Sequence, residues 1–455
     1  MAMEVEIVSQ ELIKPASPTP HHLRTHLLSF LDQFLPPVYI PVFLFYMNQE
    51  TSISSADIIA YNSRRAQLLK ESLSETLTLF YPFAGRINDH LSVDCNDEGA
   101  YYVEARVNRP LGEFLKLTDS PYVPQLHHAK SIWTEPSAGG YAAMIQVTTF
   151  ACGGIVIGAC LSHLIADGTA VTMFLRSWSS MTRKSGDEIV YPNFNACSVF
   201  PQNVAFTREA ISALMRPLIK IGPCRTMRIV FDASAIASLK ARTASSSVPN
   251  PTRVEAVSAL LSKCIMAAFK AKSDIQKPSL INYTVDFRQR AVPPISKHSM
   301  GNFLVVAAAP VTENETELEN LACLARKAIR KVDGDFVGAL QGDGGCLKYL
   351  EHIKEAGEAS CGEIDKISFT SLCRFGLYEM DYGWGKPTWV MMAKAPNKSE
   401  TVTKNTVFLM DTKMGHGIEA LVSLEEQHAV VLERDEELLA FGKLGQSPLE
   451  MNYSA

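Results

Sequence analysis

Apolar and polar positions repeat along the chain with two different periods. Between Ala56 and Thr78, the positions Leu68, Leu69, Ser72, Leu73, Thr76 and Leu77 return at helical spacing, which predicts a helix. Pro and Gly in Tyr81-Pro82-Phe83-Ala84-Gly85-Arg86 should end it. Val38 to Phe45 reads as a buried strand, with shorter strands at Leu91 to Val93 and Tyr101 to Ala105. Two apolar runs follow, Ala142 to Val147 and Gly154 to Leu161. The second is apolar on both faces, which predicts a strand at the centre of a sheet. A helix should then start near Gly168 and run through Val171, Phe174, Leu175 and Trp178 to Met181.

From Gly186 to Gly222 the periodicity lapses, and Pro192, Pro201 and Pro217 suit a long connection. Regular patterning resumes with a strand at Met227 to Phe231 and a helix at Ala233 to Arg242. Pro251-Thr252-Arg253 opens a further helix whose apolar face is Val254, Val257, Leu260, Leu261, Cys264 and Ile265. Strands are expected at Leu280 to Phe287, Asn302 to Ala309, Ile367 to Ser371, Pro387 to Met392, Thr406 to Met410 and Gly417 to Ser423. Helices are expected at Leu318 to Val332 and Glu425 to Asp435. Strands and helices mix in both halves, so the fold class is α/β with two domains of similar build: 1–190, a crossover connection 191–224, and 225–455.

Composition narrows the function. The 455 residues carry 43 Lys and Arg against 48 Asp and Glu, a net charge of -5, without a basic block, so no nucleic-acid partner is expected. The acidic start, Met1-Ala2-Met3-Glu4-Val5-Glu6, lacks the basic and apolar regions of a targeting peptide, which predicts a cytoplasmic protein. The most apolar early stretch, Val38 to Met47, is about half the ~20 residues of a membrane helix, so no membrane partner is expected. The 10 Cys form no C-x-x-C pair and read as reduced thiols.

Two segments can carry or support chemistry. In Leu161-Ser162-His163-Leu164-Ile165-Ala166-Asp167-Gly168, an imidazole emerges at the end of a buried strand with a carboxylate four residues on. Strand ends of this kind are where α/β proteins place ligand sites. The spacing alone is a weak signal, and a core histidine bonded to backbone is the alternative. Metal binding would need further ligands and no H-E-x-x-H is present, while Ser162 lacks the G-x-S-x-G turn of a serine nucleophile. In Tyr378-Glu379-Met380-Asp381-Tyr382-Gly383-Trp384-Gly385-Lys386-Pro387, two Gly flank a Trp in a tight loop, and Asp381 can tie that loop down. That segment offers no nucleophile and reads as architecture.

Together these segments resemble the plant BAHD family of coenzyme A-dependent acyltransferases. His163 to Asp167 matches its H-x-x-x-D motif, and Asp381 to Gly385 matches its D-F-G-W-G motif with Tyr382 in place of Phe. The likeness runs end to end, through Ile13-Lys14-Pro15, Leu31-Asp32-Gln33, Phe80 to Arg86, Val93 to Asp97, Asp286-Phe287-Arg288-Gln289-Arg290 and Gly301-Asn302. The N-terminal landmarks and Ser368-Phe369-Thr370-Ser371 are most similar to the branch of vinorine synthase, alcohol acyltransferases and capsaicin synthase.

The resemblance implies two domains similar to chloramphenicol acetyltransferase, with a channel between them. It implies that His163 is the general base, that Asp167 turns away to pair with Arg288, and that Asp381, Gly383 and Trp384 support the site. Thr370 and Ser371 would stand near the thioester. Leu372 replaces a Trp common in the family and would widen the acceptor pocket. Imidazole suits the task, because its ordinary pKa of ~6.5 lets it take an alcohol's proton near neutral pH. Thr252 and Arg253, at a helix N-terminus, could meet coenzyme A, the alternative being a simple capped helix.

The implied activity is transfer of an acyl group, acetyl foremost, from acyl-CoA to a hydroxyl of a plant specialised metabolite. No acyl-enzyme, no metal and no bound cofactor are involved; acyl-CoA is a co-substrate, the acceptor is a small molecule, and the enzyme is expected to act as a monomer. Amide formation and a degenerate binding member of the family are the alternatives. A hydrolase is disfavoured by the missing serine turn, and a peptide-synthetase condensation domain by Ser162, which stands where those domains have a second His.

Overall fold

The structure, a computed structural model, describes residues 4–48, 55–116, 123–127, 140–184, 189–215, 221–273, 277–359, 364–392 and 401–450. Of the 10 Cys and 11 His, Cys361 and His128 lie outside the described residues.

Two mixed sheets organise the chain. The first has six strands in the order Val5–Ile13, Ala100–Val107, Ala143–Phe150, Ile155–Ser162, Tyr39–Tyr46 and Trp389–Met392. All eight residues of Ile155–Ser162 are buried, as its two-faced apolar pattern requires. The helix Ser55–Leu79 lays Leu69, Leu73 and Leu77 into this core beside Phe174 and Trp178 of the helix Gly168–Arg183. Ser72 and Thr76 share that stripe because they are bonded across it. The Trp178 indole N–H donates to the Leu69 carbonyl and to Ser72 Oγ, each at 3.1 Å, and Ser72 Oγ lies 2.8 Å from Thr182 Oγ1.

The second sheet has seven strands in the order Leu304–Val311, Ser279–Asp286, Asp365–Ser371, Thr406–Asp411, Ile418–Leu424, Arg225–Phe231 and Lys443–Leu444. Alternation assigns its faces. Ile281, Tyr283, Val285, Ile367, Phe369, Val407 and Leu409 join the core formed with the helices Arg253–Ser273 and Leu318–Arg330. Thr284, Asp286, Ser368 and Thr370 face the other way and are only partly buried.

The halves of the chain interpenetrate. Trp389–Met392, late in sequence, pairs antiparallel with Tyr39–Tyr46 in the first sheet. Phe30, Leu31 and Phe34, early in sequence, belong to the second core, where Phe34 packs edge-on against Tyr349. A buried ion pair ties the crossing strand to the second sheet: Arg228 lies 2.7 Å from Glu419, whose carboxylate also accepts the Trp389 indole N–H at 3.2 Å. Several elements lack a counterpart in the sequence pattern, among them the strand Val5–Ile13 and the helices Phe30–Gln33, Leu111–Lys116, Arg208–Met215, Gly334–Ala339 and Gly345–Ala359.

Candidate active site

His163 is the first residue beyond the central strand Ile155–Ser162, and its N–H donates to the Val38 carbonyl at 2.8 Å. The chain then turns, and Asp167 caps the helix Gly168–Arg183 by accepting the Ala170 N–H at 3.0 Å. The two motif residues therefore point to different partners.

Asp167 is fully buried, with both oxygens occupied. Arg288 Nη1 donates to Oδ2 at 2.6 Å and Nη2 to Oδ1 at 3.1 Å, and the Phe303 N–H donates to Oδ2 at 3.1 Å. The guanidinium also bonds Asp286 at 2.8 Å and the Ser299 and Gly301 carbonyls at 3.1 and 3.3 Å, and it lies over the Phe303 ring. Burial opposes its charge, yet Asp167 and Asp286 together raise the Arg288 pKa. Asp286 in turn accepts from Thr169 at 2.9 Å, joining the helix after the His163 motif to the partly exposed face of the second sheet.

His163 is held from the other side. Asn302 sits just ahead of the strand Leu304–Val311, after Gly301, whose φ of +120° suits glycine and whose backbone bridges to Ala166. The Asn302 amide nitrogen donates to the His163 carbonyl at 2.7 Å and to Asp32 Oδ1 at 2.8 Å. Both amide hydrogens are thereby used, so Asn302 Oδ1, 3.0 Å from His163 Nδ1, must accept. Nδ1 carries the proton, and Nε2 is left with a lone pair. Burial lowers the His163 pKa from its ordinary value, which keeps the ring neutral.

The remaining predicted positions fall into three groups. Thr370 lies on the same face as Thr284 and Asp286, its hydroxyl 3.2 Å from that of Thr284, while Ser371 Oγ accepts the Cys373 N–H at 3.4 Å. Leu372 is 7 % exposed and packs on the His163 motif itself. A Cβ built on Gly168 would lie 3.1 Å from its Cδ2. Leu372 also lines a crevice with Met410, Asp411, Thr412 and Gly415.

Asp381 ties its own loop, accepting the N–H groups of Gly383 at 2.8 Å and Gly385 at 3.0 Å, two residues with φ near +100°. Trp384 stacks on Tyr382, and the Tyr382 hydroxyl, buried, has no hydrogen-bond partner among the described residues. Thr252 forms a capping box with Glu255, its N–H donating to that carboxylate at 2.7 Å and its hydroxyl accepting the Glu255 N–H at 3.1 Å. Arg253 bonds Asp411 at 2.9 Å and the Gly415 carbonyl at 2.6 Å. The helix start is thus capped by its own chain, and Arg253 braces the crevice wall.

Sequence reasoning gave no role to Asp32, Asn302, Asp286 or Thr169. The first three lie inside Leu31-Asp32-Gln33, Gly301-Asn302 and Asp286 to Arg290, so a polar residue without a stated partner in each was the available signal. No group of three or more potential metal ligands occurs among the described residues.

Residues 3–439 match the Transferase family. The chain is 47% identical to a limonoid 7-O-acetyltransferase of Citrus sinensis, an alignment covering 98% of this chain and 100% of the relative. It is 46% identical to an epi-neemfruitin B 7-O-acetyltransferase of Melia azedarach, with coverage of 98% and 100%. The crystal structure of vinorine synthase superposes with a TM-score of 0.79 at 31% identity, covering 96% of this chain and 98% of that one. Matched along nearly its whole length, the chain belongs to the Transferase family and is a BAHD acyl-CoA-dependent acyltransferase.

Proposed function

We propose that the protein transfers an acetyl group from acetyl-CoA to a hydroxyl of a limonoid-like polycyclic alcohol, with His163 as general base. The observation that carries the chemistry is the hydrogen bond from His163 Nδ1 to Asn302, which leaves Nε2 as the basic nitrogen. The acceptor class rests on two relatives, each a 7-O-acetyltransferase aligned from end to end.

In this reading, Nε2 takes the hydroxyl proton as the acceptor oxygen attacks the thioester carbonyl carbon. The C–S bond then breaks, and the coenzyme A thiolate leaves with the proton that His163 returns. A thiolate leaves readily, so no enzyme nucleophile is needed. The tetrahedral oxyanion requires a donor, and the Thr370 hydroxyl, beside Thr284 and Ser371, is assigned that task. Asp167 acts on structure, because its lone pairs are engaged by Arg288, Ala170 and Phe303. Leu372 and the crevice residues form the wall between motif and acceptor; Thr252 caps its own helix through Glu255, and Arg253, bonded to Asp411 at the crevice, is assigned to the coenzyme A side. Asp381, Gly383 and Trp384 support the site by fixing their loop. Residues 1–190 and 225–455 are assigned as the two domains and 191–224 as the crossover, with 389–392 pairing in the first sheet and Phe30, Leu31 and Phe34 packing in the second core. The enzyme is read as a cytoplasmic monomer; no helix among the described residues is long and apolar enough to cross a membrane.

The test incubates the enzyme with acetyl-CoA and a panel of limonoid alcohols and matched amines, following thiol release and product mass. Acetylation of an alcohol with stoichiometric thiol release is expected. Acetylation confined to amines, or no transfer to any acceptor, would overturn the reading.

A further inference from the structure

We propose that Asp32 is a positioning residue for acyl transfer, locking the Asn302 amide so that His163 keeps its proton on Nδ1 and its lone pair on Nε2. The inference rests on the reading of His163 as the base. Asp32 lies 131 positions before His163 and 270 before Asn302, on the short helix Phe30–Gln33. Its Oδ1 accepts two hydrogen bonds from Asn302, from the backbone N–H and from the side-chain amide, both at 2.8 Å. Its Oδ2 accepts from the Ser29 N–H at 2.9 Å and the Ser29 hydroxyl at 2.6 Å. The side chain is 1 % exposed and has no cationic partner among the described residues.

A buried carboxylate without a counter-charge is costly, so its retention needs a reason beyond capping a one-turn helix. The geometry supplies one. An Asn amide can be turned end for end, and only an acceptor at the Asp32 position, together with the His163 carbonyl, keeps the nitrogen pointed away from the ring. Turned the other way, Asn302 would donate to Nδ1, move the ring proton to Nε2 and remove the base. The packing of Phe30, Leu31 and Phe34 in the second core holds the carboxylate in register with Asn302. Burial raises the Asp32 pKa and the hydrogen bonds from Ser29 and Asn302 oppose that rise; in its charged form the carboxylate, acting through a polarised amide, favours the imidazolium formed when the alcohol proton arrives.

Among the described residues, the groups that act on the ring against burial are the His163 and Ala166 carbonyls, Asp167 and Asn302. Asp167, on the same segment, is turned onto Arg288; Asp286 is held by the same guanidinium; Asp32 is reached through Asn302. Of these carboxylates, Asp32 alone is coupled to Nδ1 by hydrogen bonds.

The experiment compares wild type with Asp32→Asn and Asn302→Ala, measuring kcat and KM across pH and folding by circular dichroism. Asp32→Asn, which can present a donor to Asn302, should lower the plateau kcat on the order of 10²-fold with KM for acetyl-CoA nearly constant. The acid limb should move to lower pH, because a negative charge near the imidazolium is gone. Asn302→Ala should reproduce both effects, and the double variant should be no worse than the poorer single one. A folded Asp32→Asn enzyme with the wild-type plateau and limb would overturn the proposal. If Asp32→Asn does not fold, a wild-type plateau and limb in Asn302→Ala overturns it equally, since Asn302 is the route to His163. Loss of activity in His163→Ala alongside an unaffected Asp32→Asn would retain the general base and reject only the lock.

Discussion

Arg288 and Asp167 meet as a two-point ion pair, 2.6 and 3.1 Å between their paired atoms, with the side chains 2 % and 0 % exposed. The acid of the H-x-x-x-D motif thus joins the two sheets and leaves the histidine to another partner. Removing either member strands a charge in the interior, so Asp167→Ala and Arg288→Ala should each cost about 3–5 kcal/mol. The double variant should lose less than the sum of the two. Thermal unfolding of the three variants checks this, and an unchanged melting temperature in Arg288→Ala would mean that the pair is not structural.

Protonation offers a second test. Burial holds the His163 pKa below its ordinary 6.5, so kcat/KM should stay flat through neutral pH and fall only below about 6.5. The same sign governs stability. Burial lowers His26 to about 4, so native His26 and His163 resist protons that the unfolded chain accepts. Stability should be full above the unfolded value of about 6.5 and decline as pH falls toward 4. A rate profile with an acid midpoint above 7 would contradict the depressed base.

Leu372 and Gly168 are close-packed, which makes the motif sensitive to one methyl group. In Gly168→Ala the new Cβ would lie 3.1 Å from both Leu372 Cδ2 and Phe375 Cε1. Overpacking of this kind costs ~1–3 kcal/mol. Leu372→Ala should relieve the Leu372 contact and leave that with Phe375, so the double variant should be more stable than the sum of the singles implies. Denaturant titration of the cycle gives the coupling, and strict additivity would show that the two residues do not touch.

Tyr382 carries a buried hydroxyl that has no partner among the described residues, between Trp178 and Trp384. Tyr382→Phe keeps the ring and removes an unmet polar group, so stability should be unchanged or rise by ~1 kcal/mol with activity retained. A clear fall in melting temperature would show that the hydroxyl is bonded.

Where side-chain period and burial coincide, the fold was legible in the sequence. Ile155–Ser162 is apolar on both faces because it is an inner strand, and the helix Ser55–Leu79 shows its stripe because one face meets the first core. Val5–Ile13 was illegible because it is an edge strand, mostly exposed, whose pairing with Ala100–Val107 is made by backbone. The exchange of Trp389–Met392 into the first sheet was hidden for a different reason: strand pairing across the chain leaves no mark on local periodicity. At the site, His163 and Asp167 are marked by spacing, whereas Asp32 and Asn302 meet across 270 positions and become partners only through packing.

The most direct measurement is the turnover of His163→Ala with acetyl-CoA and an alcohol that the wild type acetylates, scored by product mass and thiol release. A fall of about 10²–10⁴-fold with the melting temperature preserved is expected of a lost general base. Turnover within a few-fold of wild type in a folded variant would contradict His163 as the base, and with it the direct transfer of the acyl group described above.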